Sequence, residues 1–89
     1  MSQSAEQVRE VPEHEVEIAV NGKPVKVMGP KRTGLEIKQA AIAQGVQIRA
    51  DFQLSEELGD HKTKIIGDTD VVTVHKGSKF IAVAGDDNS

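Results

Sequence analysis

The sequence predicts an α+β domain in which a mixed sheet of four or five strands wraps around one helix, and three observations carry that expectation. An Asn21-Gly22 pair sits between two runs of alternating valine and polar residues, the signature of a tight hairpin. Thr33-Gly34-Leu35-Glu36 has the spacing of a capping box and opens an amphipathic stretch. The last apolar run, residues 78–84, reads as a strand with apolar side chains on both faces. With 89 residues and no cysteine, the chain has room for one small core and no disulfide to staple it.

Along the chain, Met1 to His14 is polar and acidic and reads as a flexible arm. Val16, Ile18 and Val20 alternate with Glu17 and Ala19, and Val25 and Val27 return after the Asn-Gly turn, so residues 15–28 form a hairpin. Pro24 belongs at the start of the return strand or on an edge, since it cannot donate to a ladder. Gly29-Pro30-Lys31-Arg32 breaks that strand. A helix then runs from Gly34 to Gln44, with Ile37 and Ala41, and Leu35 and Ile42, as its apolar pairs, and Gly45 stops it. Val46 and Ile48 are placed to plug the end of the core.

Phe52 and Leu54 alternate with Gln53 and Ser55, predicting a third strand of about five residues. Gly59-Asp60 turns the chain, Lys62 to Ile66 forms a short fourth strand, and residues 67–70 form a turn with Asx-type bonding. Val71, Val72 and Val74 lead to a turn at Lys76-Gly77, and the final strand ends at Gly85 before the polar tail, residues 86–89. A two-stranded hairpin cannot bury its apolar face alone. The helix covers it, and the last strand joins the sheet beside the first as a parallel pair. That is the β-grasp arrangement, over residues 15–85.

The formal charge of −3 lies in the two ends, leaving residues 16–85 slightly positive. That weak balance, with two Phe and no Trp or Tyr, argues against nucleic-acid binding. No apolar run is long enough to span a membrane, and the first residues lack the apolar stretch of a secretory signal, so the expected location is the cytoplasm, away from membranes. His14, His61 and His75 match no local metal-ligand spacing, and no thiolate supplements them. The acidic residues follow no calcium-loop pattern and Gly29-Pro30-Lys31 is no phosphate loop. No catalytic site, metal or cofactor is expected, and the chain reads as a non-enzyme.

Val20-Asn21-Gly22-Lys23-Pro24, Thr33-Gly34-Leu35-Glu36-Ile37-Lys38, Ala50-Asp51-Phe52-Gln53-Leu54 and the stretch from Lys76 to Val83, in this order, resemble the bacterial ubiquitin-like proteins of the multiubiquitin-type β-grasp family. Such proteins are associated with operons for an activating enzyme, a conjugating enzyme and a metalloprotease. The resemblance implies a monomeric protein modifier joined to target proteins through a C-terminal glycine carboxylate. Gly85 is the candidate, and residues 86–89 would first be removed by the protease. Ala84-Gly85 stands where ubiquitin has a Gly-Gly pair. Modifiers of this fold offer partners a small apolar patch on the outer sheet face. With Phe80, Ala82 and Ala84 turned to the helix, Ile81 and Val83 face away from it, and Leu54 or Leu58 is expected beside them. Two other readings of the same fold are a binding or adaptor module that is never conjugated, and a sulfur carrier, which needs a C-terminal thiocarboxylate. The eight lysines are adequately explained by solubility.

Overall fold

A computed structural model describes residues 14–85. The expected tail, residues 86–89, lies outside the described residues, as does the expected arm except for His14, which opens the first strand. Strands β1 (His14–Val20) and β2 (Lys23–Gly29) form the hairpin, with Asn21 and Gly22 both at positive φ, 53° and 80°, as the twist of a two-residue turn requires. Strand β3 (Lys31–Thr33) and helix α1 (Gly34–Ala43) follow. Strands β4 (Gln53–Gly59), β5 (Lys62–Ile66), β6 (Val71–Thr73) and β7 (Lys79–Val83) complete the fold. The main sheet has the order β2-β1-β7-β4-β5, with β1 and β7 parallel and the other neighbours antiparallel. One helix on a mixed five-stranded sheet is the β-grasp fold, as the sequence predicts.

The core lies between the sheet and α1. Val16, Ile18 and Val20 of β1, Val25 and Val27 of β2, Phe80 and Ala82 of β7, and Leu54 and Ile66 project inward and pack on Ile37 and Ala41, with Val46 and Ile48 closing one end. Phe80 is 1% exposed, so the ring is the inward residue of the last strand. The segment Lys31–Thr33, read from sequence as a break, instead pairs with Val71–Thr73 in a separate two-stranded sheet. The pairing carries little periodic signal because it is only three residues long and mostly polar on one side.

Helix α1 carries the predicted capping box in full. Thr33 Oγ1 accepts from the Glu36 backbone N–H at 3.2 Å, and Glu36 Oε1 accepts from the Thr33 N–H at 2.8 Å. The remaining first-turn donors are taken by the turn after β5: Gly34 N–H donates to Asp70 O at 3.0 Å and Leu35 N–H to Asp68 O at 3.1 Å. That turn is closed by Asp70, whose carboxylate accepts from the Gly67 N–H at 2.8 Å. The buried ridge of the helix is Gly34, Ile37, Lys38 and Ala41. Leu35 is only half-buried and Ile42 is 40% exposed, because both lie one helical step off that ridge, on its flank.

Lys38 sits on the buried ridge because its ammonium is fully satisfied. It donates to the backbone carbonyls of Ala50 at 2.7 Å and Phe52 at 2.8 Å and pairs with Asp68 Oδ1 at 2.7 Å. One side chain thus ties the helix to the loop entering β4 and to the turn leaving β5. A charge buried this deeply is tolerated only with such partners.

Candidate functional site

The end of β7 is built by its pairing with β1 and by one side chain from the hairpin turn. Asn21 N–H donates to Phe80 O, and its side-chain amide donates to Ala82 O at 3.0 Å and accepts from Ala82 N–H at 2.8 Å. The amide extends the β1 ladder past the point where the chain turns away and pins β7 at Ala82. Ala84 and Gly85 follow in the open, both exposed. A Cβ placed on Gly85 would meet only Asp51 O, at an ordinary 3.8 Å. The exit is bordered by a cleft of about 320 Å³ lined by Arg49, Asp51, Phe52, Ala84 and Gly85. Arg49, an exposed cation 3.9 Å from the Asp51 carboxylate, is therefore beside Gly85, a placement with no signal in the sequence.

On the outer face of the sheet, Val83 is 51% exposed and Ile81 is half-buried, as the inward setting of Phe80 requires. Neither leucine joins them as expected. Leu54 pairs with Ala82 and Ile66, both core residues, and is completely buried on the helix side. The register of β4 against β7 sets that parity, and a one-residue shift would have reversed it. Leu58 is 54% exposed but lies at the bulge between Glu57 and Gly59. That is about 10 Å along β4 from Ser55, the partner of Ile81.

The residue that does join the patch is Ile65. It is 63% exposed and pairs with Ser55, which pairs in turn with Ile81. Ile81 and Ile65 thus flank one small serine, two strand spacings or about 10 Å apart, with Val83 two residues along from Ile81. A signal for this was present. Ile65 and Ile66 are consecutive in a strand, so one of them must face outward.

Glu36 lies in the first turn of α1 and is exposed. Its carboxyl is held below the ordinary glutamate value chiefly by the Thr33 backbone N–H, with Arg32 adding to the effect, and the shift belongs to the capping box. Among the described residues no grouping of three or more histidines or acids is placed to hold a metal ion. No helix of the described residues is long and apolar enough to cross a membrane. A groove of about 640 Å³ runs between the start of β1 and residues 73–76, with His14, Val16, Pro30, Val74 and His75 in its wall.

Against known proteins, the sequence model of a family described as Multiubiquitin matches residues 16–86. That span takes in all seven strands apart from the first two residues of β1, the helix and Gly85. No curated protein and no solved structure matches the chain.

Proposed function

The chain belongs to the multiubiquitin family, and from that premise we propose that it is a ubiquitin-like protein modifier, joined to its targets through Gly85. A protease, a metalloprotease as the family resemblance implies, hydrolyses the Gly85–Asp86 bond and frees the glycine carboxylate. An ATP-dependent activating enzyme then lets that carboxylate attack the α-phosphate of ATP, forming the acyl-adenylate and releasing pyrophosphate. An enzyme thiolate displaces AMP to give a thioester, which passes to a conjugating enzyme. An amine or hydroxyl of the target displaces the thiol, forming the new bond. The chain itself contributes no catalytic group. It contributes a tail that enters an active site and a body that partners recognise.

The observation that carries this reading is the open exit at Ala84-Gly85 from a strand that is otherwise pinned, within a span the family match covers. A residue without Cβ brings its carboxyl carbon to an adenylate or thioester unhindered. The Ile81, Val83 and Ile65 cluster supports recognition by partner enzymes, as a small apolar patch with a polar rim does elsewhere.

Replacing Gly85 with Trp in cells that make the partner enzymes tests the proposal. The melting temperature should stay at the wild-type value, since nothing crowds the site, while higher-mass adducts of the chain disappear. Adducts formed undiminished by the Trp variant would remove Gly85 from the reaction.

A further inference from the structure

The backbone of the sheet shows that its two edges are not equivalent. Gly77 N–H donates to Glu17 O, and Ala19 N–H donates to Ser78 O, so residues 17 and 19 of β1 direct their peptide groups to the β7 side. Residues 16, 18 and 20 then bond to β2, and Pro24, Lys26 and Met28 are the β2 residues that face the edge. Pro24 has no N–H to offer. Lys26 is already occupied: its N–H donates to Gln44 Oε1 at 2.8 Å and its carbonyl accepts from Gln44 Nε2 at 2.7 Å. Gln44, the C-cap of α1, behaves there as a one-residue strand. The β2 edge is blunted.

The other edge is open. Phe80 and Ala82 direct their peptide groups to β1 and Asn21, so Ile81 and Val83 bond to Ser55 and Gln53 of β4. Leu54 and Glu56 must then bond to Ile66 and Lys64, which leaves Thr63 and Ile65 directing N–H and C=O away from the sheet. No turn or loop of the described residues bonds to either one. Their side chains lie on the outer face, where Ile65 continues the row through Ser55 to Ile81. Lys62 and Lys64 alternate with them and are exposed.

We propose that the β5 edge docks an extended acidic segment of a partner protein by adding it to the sheet, with aliphatic side chains beside Ile65 and carboxylates opposite Lys62 and Lys64. Charge decides the occupant. A second copy pairing antiparallel about the middle of β5 sets Lys64 against Lys64, and a pair centred on Thr63 sets Lys62 against Lys64; like charges facing across a ladder oppose pairing. The same lysines disfavour a basic strand, a common protection of exposed edges, and favour an acidic one; Lys64 has Glu56 of β4 beside it on one side, and Lys62 and the outer side of Lys64 face the open edge. Main-chain bonds to Thr63 and Ile65 supply affinity, and the alternating side chains supply choice. This surface is independent of Gly85 and stands whether or not the chain is conjugated.

The test uses the full chain and two blocked hexapeptides, one alternating Glu and Val and one alternating Lys and Val, with amide hydrogen exchange read by NMR. The Glu-Val peptide should bind saturably and slow exchange at Thr63 and Ile65, leaving Met28 unchanged, and the Lys-Val peptide should not bind. Lys64→Glu should weaken the acidic peptide by about fivefold and admit the basic one. Ile65→Pro removes an outward donor that the β4 pairing does not use, and should abolish binding while the protein stays folded. The proposal is overturned by protection at Met28 instead, or by equal binding of both peptides. It is also overturned if Thr63 and Ile65 are already protected in the free chain, whether with rising protein concentration (a second copy) or in a way lost on deleting residues 1–13 (the chain's own arm).

Discussion

Replacing Gly34 with Ala sets two physical effects against each other with opposite signs. Gly34 is the first residue of α1 and its φ is not in the left-handed region, so helix propensity alone favours alanine by up to about 1 kcal/mol. A Cβ at Gly34, however, would overlap the backbone carbonyl oxygen of Gly67 and sit 3.0 Å from Ile66 Cγ2. A carbonyl fixed in a closed turn cannot swing aside as a side-chain tip does. The turn must move, and it carries the acceptors for Gly34 and Leu35 and the carboxylate that meets Lys38. Overpacking of this kind costs about 1–3 kcal/mol, which exceeds the propensity gain. Net of that gain about 1–2 kcal/mol is lost, which in a domain of this size lowers Tm by about 4–16 °C. Thermal melting followed by far-UV circular dichroism, with urea unfolding as a second measure, reads it directly. A variant that melts at or above the wild-type temperature would refute the close approach of helix and turn.

Three further outcomes follow from named contacts. Lys38→Met leaves the Ala50 and Phe52 carbonyls without their donor and should cost about 2–4 kcal/mol in urea unfolding; native-state acetylation with peptide mass mapping should correspondingly label the other lysines and spare Lys38. Asn21→Gly keeps a residue suited to positive φ but removes both bonds to Ala82, so a loss of about 1–3 kcal/mol is expected where a turn-only role predicts almost none. Because the folded-state pKa of Glu36 is lowered, the stability it contributes is present above the ordinary glutamate range and disappears as pH falls through the folded value. The wild type should therefore exceed Glu36→Gln in stability at neutral pH and converge on it in acid; a gap that persists or widens toward low pH contradicts the sign.

Much of this architecture was legible because it rests on local signals. The Asn21-Gly22 turn, the valine alternation around it and the Thr33–Glu36 box are each complete within a few residues. What escaped depends on contacts distant in sequence. Leu54 and Ile65 occupy opposite faces because of strand register, and alternation fixes the period but not which parity faces the helix. Lys38 is buried only because three acceptors converge from two loops, and by composition it belongs on a solvated face. Gln44 reads as an ordinary helix end, and its second role exists only where α1 ends beside β2. Gly85 was legible as a glycine after a strand, whereas Arg49 beside it comes from a loop 36 residues earlier.

The most direct measurement is the covalent state of the chain recovered from its native cell, by intact mass and by sequencing its C-terminal peptide. A population ending at Gly85 and bonded through that carbonyl to a side chain of another protein is the expected result. Recovery of only unattached chains that still carry Asp86 to Ser89, from cells in which the activating and conjugating enzymes are present, would contradict it.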